Sequence, residues 1–300
     1  MTKRFVCLGS LNIDLTFQVP RLPEEHEKLR CSDAHLACGG SAANTAYWLS
    51  RLGAEVAMLG CVGVDHLGEW CVTELAKAGV DVRGVQRSAE ATTGIAAVFV
   101  NPTSKRMVSA GGANAHFDPA RLSGTLFDPN THLHVATPLP QISLPVLSAA
   151  KAAGATTSCD LDEPPAPYLT PLVDLCFVTH SGLVRRFGDV SLRSARESIA
   201  LDAPLNLVVT LGARGAIVVT AEDEYFVPVQ PVAVVDRTGG GDAFDAGFLW
   251  AWGQGCAWPD ALRSALRLAV EVITRPGARP GDVDVSALRE PLTSSGHGRL

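Results

Sequence analysis

From residue 5 to residue 273 the chain alternates short apolar runs with amphipathic stretches, and few architectures accept that rhythm. Runs of strand length and composition cover 5–8, 55–60, 132–136, 156–160, 175–179 and 207–210, and a hairpin over 216–220 and 224–228 turns on the polar Glu222 and Asp223. Helical periodicity covers 42–52, 67–78, 144–153, 190–200, 242–252 and 259–273, and the last helix is stopped by Pro276 and Gly277. Strands that alternate with helices predict a mostly parallel sheet with helices on both faces, an α/β protein of three layers, α/β/α. Two segments break the rhythm. Residues 15–37 and 93–109 carry β-like pieces with no helix between them, which predicts a small extra sheet acting as a lid, over about 12–38 and 93–110. The rest reads as a single domain over 1–300, with a disordered tail at 294–300.

Composition excludes several classes. A chain of 300 residues that is 47% hydrophobic and 19% charged builds a large core. The net charge of −6, with its 25 basic residues scattered, argues against nucleic acid, whose backbone is held by clustered cations. No apolar stretch reaches the length of a membrane span, and the N-terminus, broken by Asn12 and Asp14, reads as a first core strand and not as a signal sequence. A cytoplasmic protein without membrane partners is the expectation. Eight cysteines with no CxxC, several inside apolar runs, read as reduced buried thiols. His132 and His134 alternate along one strand without a wider metal-ligand pattern.

Three segments carry chemistry. In DRTGGGDAFDAGF, residues 236–248, a β-rich run (VAVVD) meets three glycines and then an amphipathic helix. Glycines before a helix expose backbone N–H groups at its positive end, which suits a phosphate, and Asp242 in the first turn is in reach of an attacking hydroxyl. Asp242 as a simple helix cap is the alternative. In GGSAANTAYWLSRLG, residues 39–53, Gly39 and Gly40 open a helix carrying Asn44, and Asn12 and Asp14 lie in the preceding GSLNID. Amides and carboxylates at the carboxyl end of a core strand suit the reading of vicinal hydroxyls; Asn44 satisfying backbone groups within its helix is the other possibility. In TLGARG, residues 210–215, Thr210, Gly212 and Gly215 fit either a phosphate cradle or a plain strand-to-strand turn.

Taken together and in this order, the segments resemble the ribokinase-like (PfkB) carbohydrate kinase family. Asp236, Thr238, Gly239, Gly241, Asp242, Phe244, Gly247 and Phe248 match its late signature, with Gly240 in place of the usual Ala. Gly39, Gly40, Asn44, Ala46, Leu52 and Gly53 match the early one, and GGAN at 111–114 and RPGA at 275–278 fall where the family places them. The resemblance implies an ATP-dependent phosphotransferase acting on a hydroxyl of a small sugar, with Asp242 as general base and Gly239, Gly240 and Gly241 as anion hole. It implies an acceptor site at Asn12, Asp14, Gly39, Gly40 and Asn44, nucleotide binding at Thr210, Gly212, Gly215 and Thr238, Mg²⁺ with the ATP, and a monovalent cation such as K⁺ at Asp236, unless that residue only braces its loop. A nucleoside kinase of the same superfamily, or a non-catalytic sensor of sugars or nucleotides, are the other readings, and the lid strands suggest a homodimer.

Two departures matter. The family's N-x-x-E, tied to Mg²⁺ and phosphate, is here His180, Ser181, Gly182 and Leu183, without a carboxylate; Asp160 and Asp162, at the end of the preceding strand, are nearby substitutes. Where ribokinases carry a Glu, this chain has Thr137, Pro138 and Leu139, which argues against ribose.

Overall fold

A computed structural model describes residues 3–289 except 102, 103, 123, 125, 162 and 202. Asp162 and the 294–300 tail therefore lie outside the described residues. Among the described residues, no helix is long and apolar enough to cross a membrane.

The main sheet is seeded by β1 (Arg4–Gly9), whose alternation is plain: Phe5 and Cys7 enter one core, Val6 and Leu8 the other. Both faces are buried, as a parallel sheet between helices requires. β1 pairs in parallel with β4 (Val56–Gly63) on one side and with β8 (Thr131–Ala136) on the other. Beyond β4 lies β5 (Val85–Ser88), a short strand that the residue pattern does not reveal. Beyond β8 follow β9 (Thr156–Asp160), β10 (Leu175–Thr179) and β11 (Asn206–Thr210), all parallel, then antiparallel β12 (Ala216–Val219) and β13 (Glu224–Val227). The sheet is mostly parallel, as expected, and the order of connection reverses at β1 and β8. That reversal opens a crevice at the strands' carboxyl ends.

A smaller sheet stands on this end. β2 (Asn12–Gln18) pairs antiparallel with β3 (Asp33–Gly39) and parallel with β6 (Gly94–Asn101), which pairs antiparallel with β7 (Ser104–Ala110).

One core holds α1 (Ser41–Arg51), α2 (His66–Lys77), α6 (Gly240–Gly253) and α7 (Trp258–Ile273), with Trp48 and Phe248 fully enclosed. The opposite core takes α3 (Pro140–Ala152), α4 (His180–Phe187) and α5 (Leu192–Ala200). α3 starts earlier than its periodicity suggests because Pro140 occupies a first-turn position, where a missing N–H does no harm. α4 is a helix that periodicity does not reveal; Thr179 caps it by accepting from Gly182 N at 3.0 Å. The VAVVD run is not a strand. Pro228 and Pro231 remove donors between β13 and this run, and the N–H groups of Val235 and Asp236 instead donate to Ile273 O, at 2.9 and 3.2 Å.

Candidate active site

Helix α6 begins at the crevice because Gly239, its N-cap, adopts a left-handed φ of 73°. A side chain there is excluded twice over, since a Cβ would also lie 2.6 Å from Ala278 Cα. The cap position belongs to this glycine, and no side chain caps the helix. Asp242, in the first turn, is thus released from capping, and its carboxylate faces α1: Asn44 Nδ2 donates to its Oδ2 at 2.7 Å. Asn44 is buried, and its other end accepts from Arg279 Nε at 2.7 Å, so neither end serves its own helix backbone. Arg279 Nη2 donates to Gly39 O at 3.3 Å, and the guanidinium lies over the Tyr47 ring, 5.5 Å from its centroid. Thr45 Oγ1 donates to Asp242 O at 3.4 Å.

Burial pushes the Asp242 carboxyl up to about 7; the Asn44 hydrogen bond and the Arg279 charge pull against this, while the carboxylates of Asp160 and Asp14 add to it. One turn further along α6, Asp245 is buried and held well above the usual carboxylate range, first by burial and then by Asp160, to which its protonated form donates. Behind it lies a buried polar row. His134 Nε2 stands 3.7 Å from Asp245 Oδ2, His134 Nδ1 meets Ser158 Oγ at 2.9 Å, and His132 Nε2 meets the same hydroxyl at 2.7 Å. Burial lowers His134 to about 3 and His132 well below the usual imidazole range, so both rings are neutral packing partners.

The acceptor-side residues converge on the same end. Asp14, on β2, lies against Gly39, where a Cβ would stand 2.3 Å from Asp14 Oδ2. Gly40, with φ 95°, passes so close to Ser10 that a Cβ would reach its carbonyl oxygen at 2.3 Å. Asn12 is differently employed: its Oδ1 accepts from Asn114 Nδ2 at 2.7 Å, and Asn114 Oδ1 accepts from Leu11 N at 2.9 Å, which ties β2 to the GGAN turn.

On the other side of α6, a cavity of about 390 Å³ is lined by Thr210, Gly212, Gly215, Gly240, Gly241 and Phe244, with Val232, Val234 and Ile273 among its apolar walls. The TLGARG segment is a 3₁₀ turn between β11 and β12, and that turn is also the cavity wall. Gly241 has open space around its Cα, while the Gly240 N–H makes a long turn bond of 3.3 Å to Arg237 O. The first N–H groups of a helix have no intrahelical partner, so the α6 terminus presents donors to this side. Thr238 and Asp236 do not enter the cavity lining. Asp236 Oδ1 accepts from Thr238 N and Oγ1, at 2.9 and 2.7 Å, and Oδ2 accepts from Gly277 N at 2.9 Å, which braces the loop.

Among the described residues no group of three or more His, Cys, Asp or Glu is arranged to hold a metal ion. Leu183 is buried in the core below α4, and no carboxylate stands in that first turn. All eight cysteines are free thiols. Three residues of this cluster have no role assigned from sequence: Asn114, Asp245 and Arg279. Each left a signal, Asn114 inside GGAN, Asp245 inside DRTGGGDAFDAGF and Arg279 as a charge directly after RPGA.

The pattern described as pfkB family carbohydrate kinase matches residues 2–284. A ribokinase of Haemophilus influenzae is 28% identical over 293 residues, covering 93% of this chain and 95% of its own. A nucleoside kinase of Methanocaldococcus jannaschii is 27% identical over 262 residues, covering 84% of each. Among solved structures, an Arabidopsis thaliana ribokinase complexed with ribose and ATP superposes with a TM-score of 0.82 at 25% identity, over 96% of this chain and 98% of that one.

Proposed function

The chain belongs to the pfkB family of carbohydrate kinases, and we propose from that premise that it transfers the γ-phosphoryl group of ATP to a hydroxyl of a small sugar, with Asp242 as general base. The observation that carries this reading is the position of Asp242. Its carboxylate meets Asn44 of α1 at 2.7 Å, and its own helix terminus lines the cavity formed with Thr210, Gly212 and Gly215. The acceptor lies on the Asp14, Gly39 and Gly40 side and the nucleotide in the cavity on the other; that the nucleotide is ATP is supported by the Arabidopsis ribokinase, which is complexed with ribose and ATP.

In the transfer, Asp242 takes the proton of the acceptor hydroxyl, whose oxygen forms a bond to the γ-phosphorus while the bond to the β,γ-bridging oxygen breaks, leaving ADP. A carboxyl near 7 suits this proton transfer, because at neutral pH a large fraction is ionised and the conjugate acid is not so strong that the proton returns at once. The N–H groups of Gly239, Gly240 and Gly241 face the charge that gathers on the γ-phosphate oxygens. The small sheet excludes water that would otherwise accept the phosphoryl group. The donor set does not form a protein cage for Mg²⁺, since α4 offers His180 and the buried Leu183; the ion would be held chiefly by the phosphates and water and would neutralise their charge. Both oxygens of Asp236 brace the loop, so a potassium ion there would only add to that brace.

A nucleoside acceptor is the second reading. It is favoured by a cleft of about 620 Å³ that shares Arg279 with the cluster and has Tyr47 and Trp70 among its walls, and by the similarity to a nucleoside kinase. ADP release measured across sugars, sugar phosphates and nucleosides, with K⁺ varied, separates the two. Turnover with nucleosides and with no sugar would replace the first reading by the second, and no turnover with any acceptor would leave a ligand sensor. Asp242→Asn is expected to lower kcat by about 10²- to 10⁴-fold; full activity in that variant sinks the mechanism. Exposed Leu36, Met107 and Val108 on the small sheet support pairing of two subunits through the lid, which a monomeric sedimentation profile at assay concentration would refute.

A further inference from the structure

The chain of bonds from Arg279 through Asn44 to Asp242 goes beyond base and anion hole. We infer that Arg279 is a positioning residue for phosphoryl transfer: it fixes the Asn44 amide so that Nδ2 is held against Asp242, and it supplies the positive charge that faces that carboxylate. The inference rests on the reading of Asp242 as general base.

The donors and acceptors admit one arrangement. An ionised carboxylate only accepts, so the Asn44 atom 2.7 Å from Asp242 Oδ2 is the amide nitrogen. A guanidinium only donates, so the Asn44 atom 2.7 Å from Arg279 Nε is the amide oxygen. Each contact therefore enforces the other. Without Arg279 the amide oxygen loses its donor, and the amide is free to turn its NH₂ away from the base.

Arg279 is itself well anchored. Nη2 donates to Gly39 O, the guanidinium stacks on Tyr47, and the preceding carbonyl, Ala278 O, accepts from Trp48 Nε1 at 3.0 Å. Ala278 also packs against Gly239 at the start of α6, and Gly277 N donates to Asp236. The loop thus ties the acceptor helix α1 to the terminus that carries the base. Burial lowers the Arg279 pKa, but a guanidinium remains charged at any working pH.

The charged and titratable groups facing Asp242 are Arg279 from the 275–280 loop, Asp14 from β2 and Asp160 from the end of β9, with Asp245 one turn along α6 and the neutral amide of Asn44 from α1. Three carboxyl groups surround it, so Arg279 is the cation that keeps its ionised form accessible. With Arg279 removed, the Asp242 carboxyl titrates at higher pH.

The test uses the full chain. An infrared pH titration follows the carboxyl band that Asp242→Asn abolishes, which requires no acceptor. The expected result is a midpoint that moves up by about one pH unit in Arg279→Met, the size expected when an opposite charge is lost beside a carboxylate, and by less in Arg279→Lys, which keeps the charge but not the fork. With whichever acceptor gives turnover, kcat falls about tenfold in Arg279→Met, the scale of a lost charge-assisted hydrogen bond, with the KM for ATP unchanged. Measured well above the Asp242 midpoint, where the base is ionised in every variant, the kcat loss in Arg279→Met with Asn44→Ala matches that of Asn44→Ala alone. An unmoved midpoint in the folded Lys and Met variants, or kcat losses that multiply in the double variant, overturns the inference. If Arg279→Met fails to fold, the kcat, KM and midpoint of Arg279→Lys decide, an unchanged kcat and midpoint being the contrary result. The base reading fails separately, if Asp242→Asn retains turnover.

Discussion

At Asp242 two demands oppose each other. The proposed role as a base near neutral pH requires a partly desolvated carboxylate, and the fold then carries the cost of ionising it. Its folded pKa, about 7, lies above the usual value of 3.8. The folded state therefore binds this proton more readily than the unfolded chain. Stability from this group is complete below about pH 4 and lost as pH rises through 7. Asp242→Asn removes the charge and keeps an acceptor for Asn44 Nδ2. The variant is expected to be more stable than the parent at pH 8 by about 2 kcal/mol, the burial being partial, with the gap closing toward pH 4. Thermal unfolding at the two pH values measures this; a variant less stable at pH 8 would contradict the role of burial.

At the scale of elements, the aim of Asp242 depends on how α6 lies on α7. Gly247 makes the approach possible: a Cβ there would stand 2.9 Å from Ser264 O and 3.0 Å from Ala265 Cα, both backbone atoms. Gly247→Ala must separate the helices, at a cost of about 1–3 kcal/mol, and it swings the first turn of α6. Denaturant midpoints and kcat are expected to fall together. Unchanged kcat with lowered stability would mean that the terminus is held from the loop side, through Ala278 and Gly239. The late signature thus combines two physical roles. Gly239, Gly240, Gly241 and Asp242 form the helix terminus at the proposed site, and Gly247 and Phe248 set the helix against its neighbours.

For the whole molecule, the two cavities draw on distant parts of the chain. The 390 Å³ cavity is closed by the turn after β11, the 229–234 segment, α6 and α7, none of which is covalently near all the others. A ligand there stabilises the assembled state only. A non-hydrolysable ATP analogue at 100 times its Kd is expected to add about 2.7 kcal/mol, read as a rise in Tm. An unmoved Tm at saturating analogue counts against this cavity as the nucleotide site.

Residue order alone determined most of the architecture. Period-2 and period-3.6 patterns mark the parallel core and the small sheet, because burial on two faces leaves a local imprint. It also marked the glycine-rich terminus and Asp242, since glycines before a helix and a first-turn acid are adjacent in sequence. Other features left weaker imprints. β5 is too short to show a period, and the VAVVD run has strand composition but lies between prolines and a helix end that take its hydrogen bonds. Gly239 takes the cap of α6, but what the Asp242 carboxylate then meets was decided by Asn44, 198 residues away, and the orientation of Asn44 by Arg279, 235 residues further along the chain. Hydrogen bonds between such distant residues leave no periodicity to read, so the setting of Asp242 belongs to the tertiary structure alone.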